Sequence, residues 1–276
     1  MQSSDPILVA YNAHTGDRGP VEFGLACSRL ARTPLVVEWV HGSEQDAHAI
    51  DELRTELEGP DVEVRARLAR SAGAEITETA AELEAGMVVL GTSGRRFART
   101  GLLGATAERV LQSVRCPVVV VPRRYTPPPD GIANVGVAYA GEAAGRAALG
   151  WVAALARADD VRVTAIQVVH SDADAQQRSL LLSAVRGATT AVDERAEFDI
   201  EIRFGDPADV LVATAGRLDL LVMGSRHTGS QRPVALGSVS RGVAERSPCP
   251  VVIVPRVGIA ADEAPLVVTL GHGAPS

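Results

Sequence analysis

Gly91, Gly94 and Gly104 stand between a short apolar run and a segment with helical spacing. A glycine-bearing loop that enters a helix can do one kind of chemistry well. It offers free backbone N–H groups and the positive end of a helix dipole to an anion, typically a phosphate. Glycine also lets the backbone turn sharply and come close to another group. The alternative is that these glycines serve only tight turns, because Gly-x-x-Gly alone is weakly specific. The pattern recurs as Gly224, His227, Gly237 and Ser238.

The recurrence extends over a whole stretch. Residues 88–122 read VVLGTSGRRFARTGLLGATAERVLQSVRCPVVVVP, and residues 221–255 read LVMGSRHTGSQRPVALGSVSRGVAERSPCPVVIVP. Gly91 matches Gly224, Gly104 matches Gly237, Cys116 matches Cys249 and Pro122 matches Pro255, each 133 residues apart. One repeat of so long a period means two copies of a domain rather than a solenoid.

The elements that must position these glycines follow from hydrophobic spacing. Residues 6–11 and 134–139 read as first strands, 35–40 and 161–169 as second strands, and 62–68 and 198–204 as third strands. Short apolar runs ending at Leu90 and Met223 form fourth strands, and VVVV and VVIV form the last. Between them, Val21, Leu25 and Leu30 space helix 1, and Ala47, Ile50, Leu53 and Leu57 space helix 2 behind Ser43 as N-cap. Leu180, Leu181, Ala184 and Val185 mark the equivalent face in the second copy. Helix 3 covers residues 74–83 and 207–217, and Val110, Leu111 and Val114 space the helix after the glycine loop. Strand and helix alternate in each half, which predicts an α/β fold with a parallel sheet covered on both faces. The expected domains are residues 1–124 and 132–256, joined by a proline-rich linker at 125–131 and followed by a tail at 257–276.

Composition narrows the function. A net charge of −7 disfavours a phosphate-backbone binder, and 3% aromatic residues disfavour a base-stacking platform, so nucleic acid is not an expected partner. No apolar run approaches the roughly 20 residues that span a bilayer. The N-terminus lacks the basic start and apolar core of a signal peptide, so a cytoplasmic location is expected. All 27 basic residues are arginine. Schiff-base chemistry and a Walker-type lysine are therefore excluded. Cys27, Cys116 and Cys249 are too few and scattered for a disulfide framework or zinc site, and Cys116 and Cys249, each before the Pro that opens a buried strand, read as buried small apolar residues. The histidines show no metal-ligand spacing.

The glycine spacing and the Cys-Pro-Val-Val ending resemble the universal stress protein family, over roughly residues 5–124 and 131–256. That family's nucleotide loop runs Gly, two residues, Gly, nine residues, Gly, then Ser or Thr. The first copy departs at Ala105, with Thr106 one residue on, and the second departs at His227. The resemblance implies two Rossmann-like domains, each a five-stranded sheet of order 3-2-1-4-5, with a ligand at the strand ends between strands 1 and 4. It implies ATP as ligand, an internal pair of the two halves through their last strands, and a possible further homodimer. The family's Asp at the end of strand 1 is replaced by Asn12 in one copy and by Ala140 in the other. The candidate nucleotide set is Asn12, Val40, Gly91, Gly94, Gly104 and Thr106, with Gly224, His227, Gly237 and Ser238 in the second copy. Arg95 and Arg96 are further candidates for phosphate. The leading expectation is a non-catalytic nucleotide-sensing module in the stress response, with the better site in the first copy. The alternative is an interaction protein of the same fold without nucleotide. A nucleotide enzyme of related architecture is a third reading, but no Walker A, hydrolase Gly-x-Ser-x-Gly or His-x-Gly-His element is present.

Overall fold

Short runs of β-branched residues bounded by Gly, Pro and Asp build the sheets, and helices fill the crossovers. The structure is a computed structural model. It describes residues 5–57, 59–92, 103–141, 143–153, 161–170, 172–225 and 236–255, without the side chains of 45–47. Two compact units divide between Pro127 and Pro128.

The first unit runs β1 (Ile7–Ala10), α1 (Gly19–Ala31), β2 (Leu35–His41), a 3-10 helix (Glu44–Ile50), α2 (Asp51–Leu57), β3 (Val62–Leu68), α3 (Ala72–Glu82), β4 (Met87–Gly91), α4 (Ala105–Ser113) and β5 (Val118–Val121). The second runs β6 (Asn134–Ala138), α5 (Ala143–Val152), β7 (Arg162–Val169), α6 (Ala175–Val192), β8 (Asp199–Phe204), α7 (Pro207–Ala215), β9 (Leu220–Gly224), α8 (Ser238–Arg246) and β10 (Val251–Val254). The strands are parallel, in the orders β3-β2-β1-β4-β5 and β8-β7-β6-β9-β10, which is 3-2-1-4-5 in each unit.

This order determines which face each helix covers. Crossovers between parallel strands are right-handed. The chain steps one way from β1 to β3 and the other way from β4 to β5. So α1 and α2 lie on one face, and α3 and α4 on the other. Gly73 of α3 packs so closely on α4 that a Cβ would meet Arg109 at 2.9 Å. In the second unit Arg246 of α8 pairs with Asp209 of α7 at 2.6 Å. Valines of the central strands, Val9, Val37, Val89 and Val119 in one sheet and Val137 and Val222 in the other, are fully buried between the layers.

Local chemistry starts the helices. Pro20 opens the first turn of α1. Ser71 caps α3 and Asp206 caps α7, and Asp174 with Gln177 forms a capping box on α6.

Three expectations need correction. Helix 2 is not one α-helix after Ser43. Residues Glu44–Ile50 wind as a 3-10 helix before α2 begins. Ile50 and Leu53 still reach the core, since i+3 neighbours share a face in both geometries. Leu30 is exposed at the end of α1, and the buried line of that helix runs Val21, Gly24, Leu25 and Ser28. On α6, Leu180 is 65% exposed and Ala184 is exposed, while Val185 and Thr189 face the core. That helix lies over the edge of its sheet, where little surface remains to cover it.

One charged side chain lies deep in the first unit. Glu38 on β2 has no exposed surface. It accepts from Arg65 Nε at 2.9 Å and from the Thr79 hydroxyl at 3.0 and 3.1 Å, tying β2 to β3 and α3. Sheet register places Ile166 at the same point of the second unit, opposite Ala138 as Glu38 is opposite Ala10. Burial pushes the Glu38 carboxyl above its ordinary range, against the pull of Arg65, Thr79 and Arg67.

A carboxyl whose folded pKa is raised holds its proton longer in the folded than in the unfolded chain. Its contribution is therefore complete at low pH and declines as pH rises from the ordinary glutamate range through the raised value. We expect the urea midpoint of the first unit, read from Trp39 fluorescence in a Trp151→Phe background, to fall over that rise. Glu38→Gln should flatten the slope; an unchanged slope would show that Glu38 is ionised throughout.

Candidate functional site

Sheet register brings part of the expected site together. Ala10 of β1 lies opposite Glu38 of β2 and Leu90 of β4. Val40 lies near the end of β2, Gly91 ends β4, and Asn12 follows β1 beyond its paired register, with the Tyr11 N–H still bonded to the Glu38 carbonyl at 2.9 Å. These three neighbouring strand ends form the point where the strand order reverses, the usual crevice of such sheets. Asn12 is exposed, and Val40 and Gly91 are half-buried.

Residues 11–18 link β1 to α1 and are folded on themselves. His14 N–H donates to Asn12 Oδ1 at 3.0 Å, and the Thr15 hydroxyl donates to the Asn12 carbonyl at 2.9 Å. His14 stands edge-on to the buried Trp39 ring at 5.3 Å. Asp17 Oδ1 accepts from the Gly19 N–H at 3.2 Å and from the Arg124 N–H at 3.3 Å. Tyr125 then packs on Phe23, 6.0 Å between ring centres, and sits against Gly19. The chain leaving β5 is thus pinned to the start of α1. Arg18 is held at two points by Glu56, at 2.7 and 2.8 Å, and so is committed away from any phosphate.

Helix α4 turns its N-terminal end toward the same strand ends. A crossover helix that follows a strand begins at the carboxyl side of the sheet, here after β4. Gly104 is its N-cap and gives no side-chain hydrogen bond, which leaves the first-turn N–H groups for another acceptor. Thr106 is the second residue of the helix and half-buried. Gly94, Arg95 and Arg96 lie outside the described residues, and so does His227.

The second unit keeps one end of this arrangement and fills the other. Gly237 caps α8 as Gly104 caps α4, with the exposed Ser238 first in the helix. But only residues 139–142 separate β6 from α5. The short connection brings α5 down on the end of β9. A Cβ on Gly224 would lie 1.9 Å from the Ala144 carbonyl oxygen, a backbone atom. On Gly91, among the described residues, it would meet the Pro20 side chain, Cγ at 2.9 Å and Cδ at 3.8 Å. Ala140 offers no polar group in place of Asn12. Sequence reasoning placed Gly224 in a ligand loop; the structure adds that a Cβ there would meet α5 backbone. The signal for this was the length of the connection before α5. Asp17 was also missed, although it lies close to two glycines in a loop, where a carboxylate commonly ties backbone N–H groups.

Burial pushes the Cys27 and Cys116 thiols up to about 12 and Cys249 up to about 11. All three stay protonated and none is a poised nucleophile. Among the described residues no three His, Cys, Asp or Glu side chains are grouped to hold a metal. Among them, too, no helix is long and apolar enough to cross a membrane.

The profile of the universal stress protein family matches this chain twice, over residues 21–122 and 131–255. The chain belongs to the universal stress protein family. Universal stress protein Rv2005c of Mycobacterium tuberculosis is 27% identical over 185 residues, 62% of this chain and 62% of that protein. Slr1230 of Synechocystis sp. is 28% identical over 171 residues, 60% of this chain and 56% of that protein. Rv2319c of Mycobacterium tuberculosis is 40% identical over 89 residues, 32% of this chain and 30% of that protein. The chain thus matches less than two thirds of the length of these relatives. Among solved structures, a universal stress protein from Archaeoglobus fulgidus DSM 4304 shares the fold. Its TM-score is 0.65 at 22% identity, over 93% of this chain and 100% of that one.

The two strand-end glycines should differ in their tolerance. Gly224→Ala must displace helix backbone and should cost about 3 kcal/mol, whereas Gly91→Ala can be met by a small shift of Pro20 and should cost about 1 kcal/mol. Chemical unfolding of the two variants measures this. Equal costs would mean that α5 does not close on β9 as described.

Proposed function

We propose that this member of the universal stress protein family is a non-catalytic adenine-nucleotide-binding module, with its working site in residues 1–124. The observation that carries the reading is the contrast at the two crevices. In the first repeat Asn12, Val40 and Gly91 stand at adjoining strand ends, and α4 opens on a glycine that leaves its first-turn N–H groups available. These groups suit a nucleoside at one end and a phosphate at the other. In the second repeat helix backbone and Ala140 take the corresponding places. That crevice does not fit a nucleotide, and the repeat serves the fold or a protein partner.

A specific observation favours the second reading, an interaction protein without nucleotide. The Asn12 carbonyl oxygens and the Arg18 guanidinium already have partners within the chain. The two readings separate at the helix caps. Gly104 has φ −57° and ψ 156°, and Gly237 has φ −64° and ψ 163°, values open to any residue. Valine at either position should therefore leave the fold intact by circular dichroism. Gly104→Val should weaken ATP binding by about tenfold or more in calorimetry, the size of one lost charge-assisted contact, and Gly237→Val should leave it unchanged. ATP binding that ignores Gly104→Val, or is absent from the wild type, overturns the nucleotide reading.

A further inference from the structure

The chain that leaves β5 turns back onto the start of α1. The Tyr125 N–H donates to the Pro122 carbonyl at 3.3 Å and closes a turn. The third residue of that turn, Arg124, has φ +59°. This left-handed place normally goes to glycine or asparagine, because a Cβ is strained there. Among the described residues, Arg32 and Glu84 are the other non-glycine residues at positive φ, and both follow helix ends, where that conformation is common. Arg124 follows a strand, and its conformation is held from a distant part of the chain. Asp17 Oδ1 and Oδ2 accept its N–H at 3.3 and 3.4 Å, and the next ring, Tyr125, packs on Phe23 of α1. A residue in so sparsely populated a conformation persists only where its surroundings hold it.

Asp17 faces two ways. Its Oδ1 also accepts from the N–H of Gly19, the first residue of α1, at 3.2 Å. The next residue, Pro20, lays its ring beside Gly91 at the end of β4. A Cβ on Gly19 would lie 3.2 Å from both N and Cβ of Tyr125. The turn after β5, the start of α1 and the end of β4 are therefore one run of contacts. Asp17 itself belongs to the loop of residues 11–18, which leaves β1 at the first crevice.

We propose that Asp17 is a clasp that couples the first crevice to the chain entering the linker between the repeats. An occupant of the crevice orders residues 11–18 from one side, and the clasped turn at 122–125 orders them from the other. Each lowers the ordering cost of the other, which is positive coupling. Without the clasp Arg124 relaxes to negative φ and the chain leaving β5 is freed. The inference rests on the nucleotide reading above and adds a segment that responds to occupancy.

The test is hydrogen exchange read by mass spectrometry on the full-length protein, with and without saturating ATP, alongside calorimetry. In the wild type ATP should slow exchange of residues 123–126 about tenfold, and Asp17→Ala should abolish that protection and bind ATP about tenfold more weakly, since coupling is reciprocal. Adding Arg124→Gly to Asp17→Ala removes the left-handed strain and should bring affinity back to within about threefold of wild type. No recovery would place the whole effect of Asp17 at the Gly19 N–H and overturn the coupling. ATP binding that leaves exchange at 123–126 unchanged would also overturn it, with the nucleotide reading intact. If wild type binds no ATP, the nucleotide reading fails and the coupling falls with it.

Discussion

The length of the connection between the first strand and the first helix governs each repeat. A helix that must return across its sheet begins where its linker allows. Residues 11–18 bring α1 against β4 through the Pro20 ring, a side chain that lies beside Gly91. Residues 139–142 give α5 less room, and its first turn comes to rest on Gly224. Two copies of one fold thus differ in what meets the strand-end glycine among the described residues, a proline side chain in one and helix backbone in the other. The long loop also needs internal ties, which Asn12, Thr15 and Asp17 provide.

A second difference lies inside the layers. The first repeat buries Glu38 among Arg65, Arg67 and Thr79, where the second has Ile166. A buried carboxylate linked across two strands and a helix is weak evidence for stability, since its desolvation opposes its pairing. Arg65 Nη2 is buried without a hydrogen-bond partner among the described residues, so the network is only partly satisfied. The second repeat shows that the fold does not require it. The group places a titrating residue in the sheet next to the strand end that carries Val40.

Much of the fold was legible because its signals are local and doubled. Alternating strand and helix patterns in two copies pointed to the parallel sheets, and the family resemblance supplied the strand order. Pro20 marked the start of α1. Cys249 reads as a small buried residue from its neighbours alone. Other features depend on what lies opposite, which one chain's pattern does not encode. The i+3 spacing at Ile50 and Leu53 suits a 3-10 helix as well as an α-helix. Leu180 has helical spacing but no layer above it. At the site, the residue types were visible and their commitments were not. Gly224 shows the loop-glycine signal in the sequence, and its packing against Ala144 shows only in the structure. The bond from the His14 N–H to Asn12 Oδ1 is likewise visible only in the structure.

The central proposal is that the first crevice takes a nucleotide and the second does not. Binding stoichiometry tests it most directly. Full-length protein stripped of small molecules by gentle unfolding and refolding should bind one nucleotide per chain at saturation in equilibrium dialysis. Two per chain would mean that α5 does not close the second crevice, and none would mean that the first is not a nucleotide site.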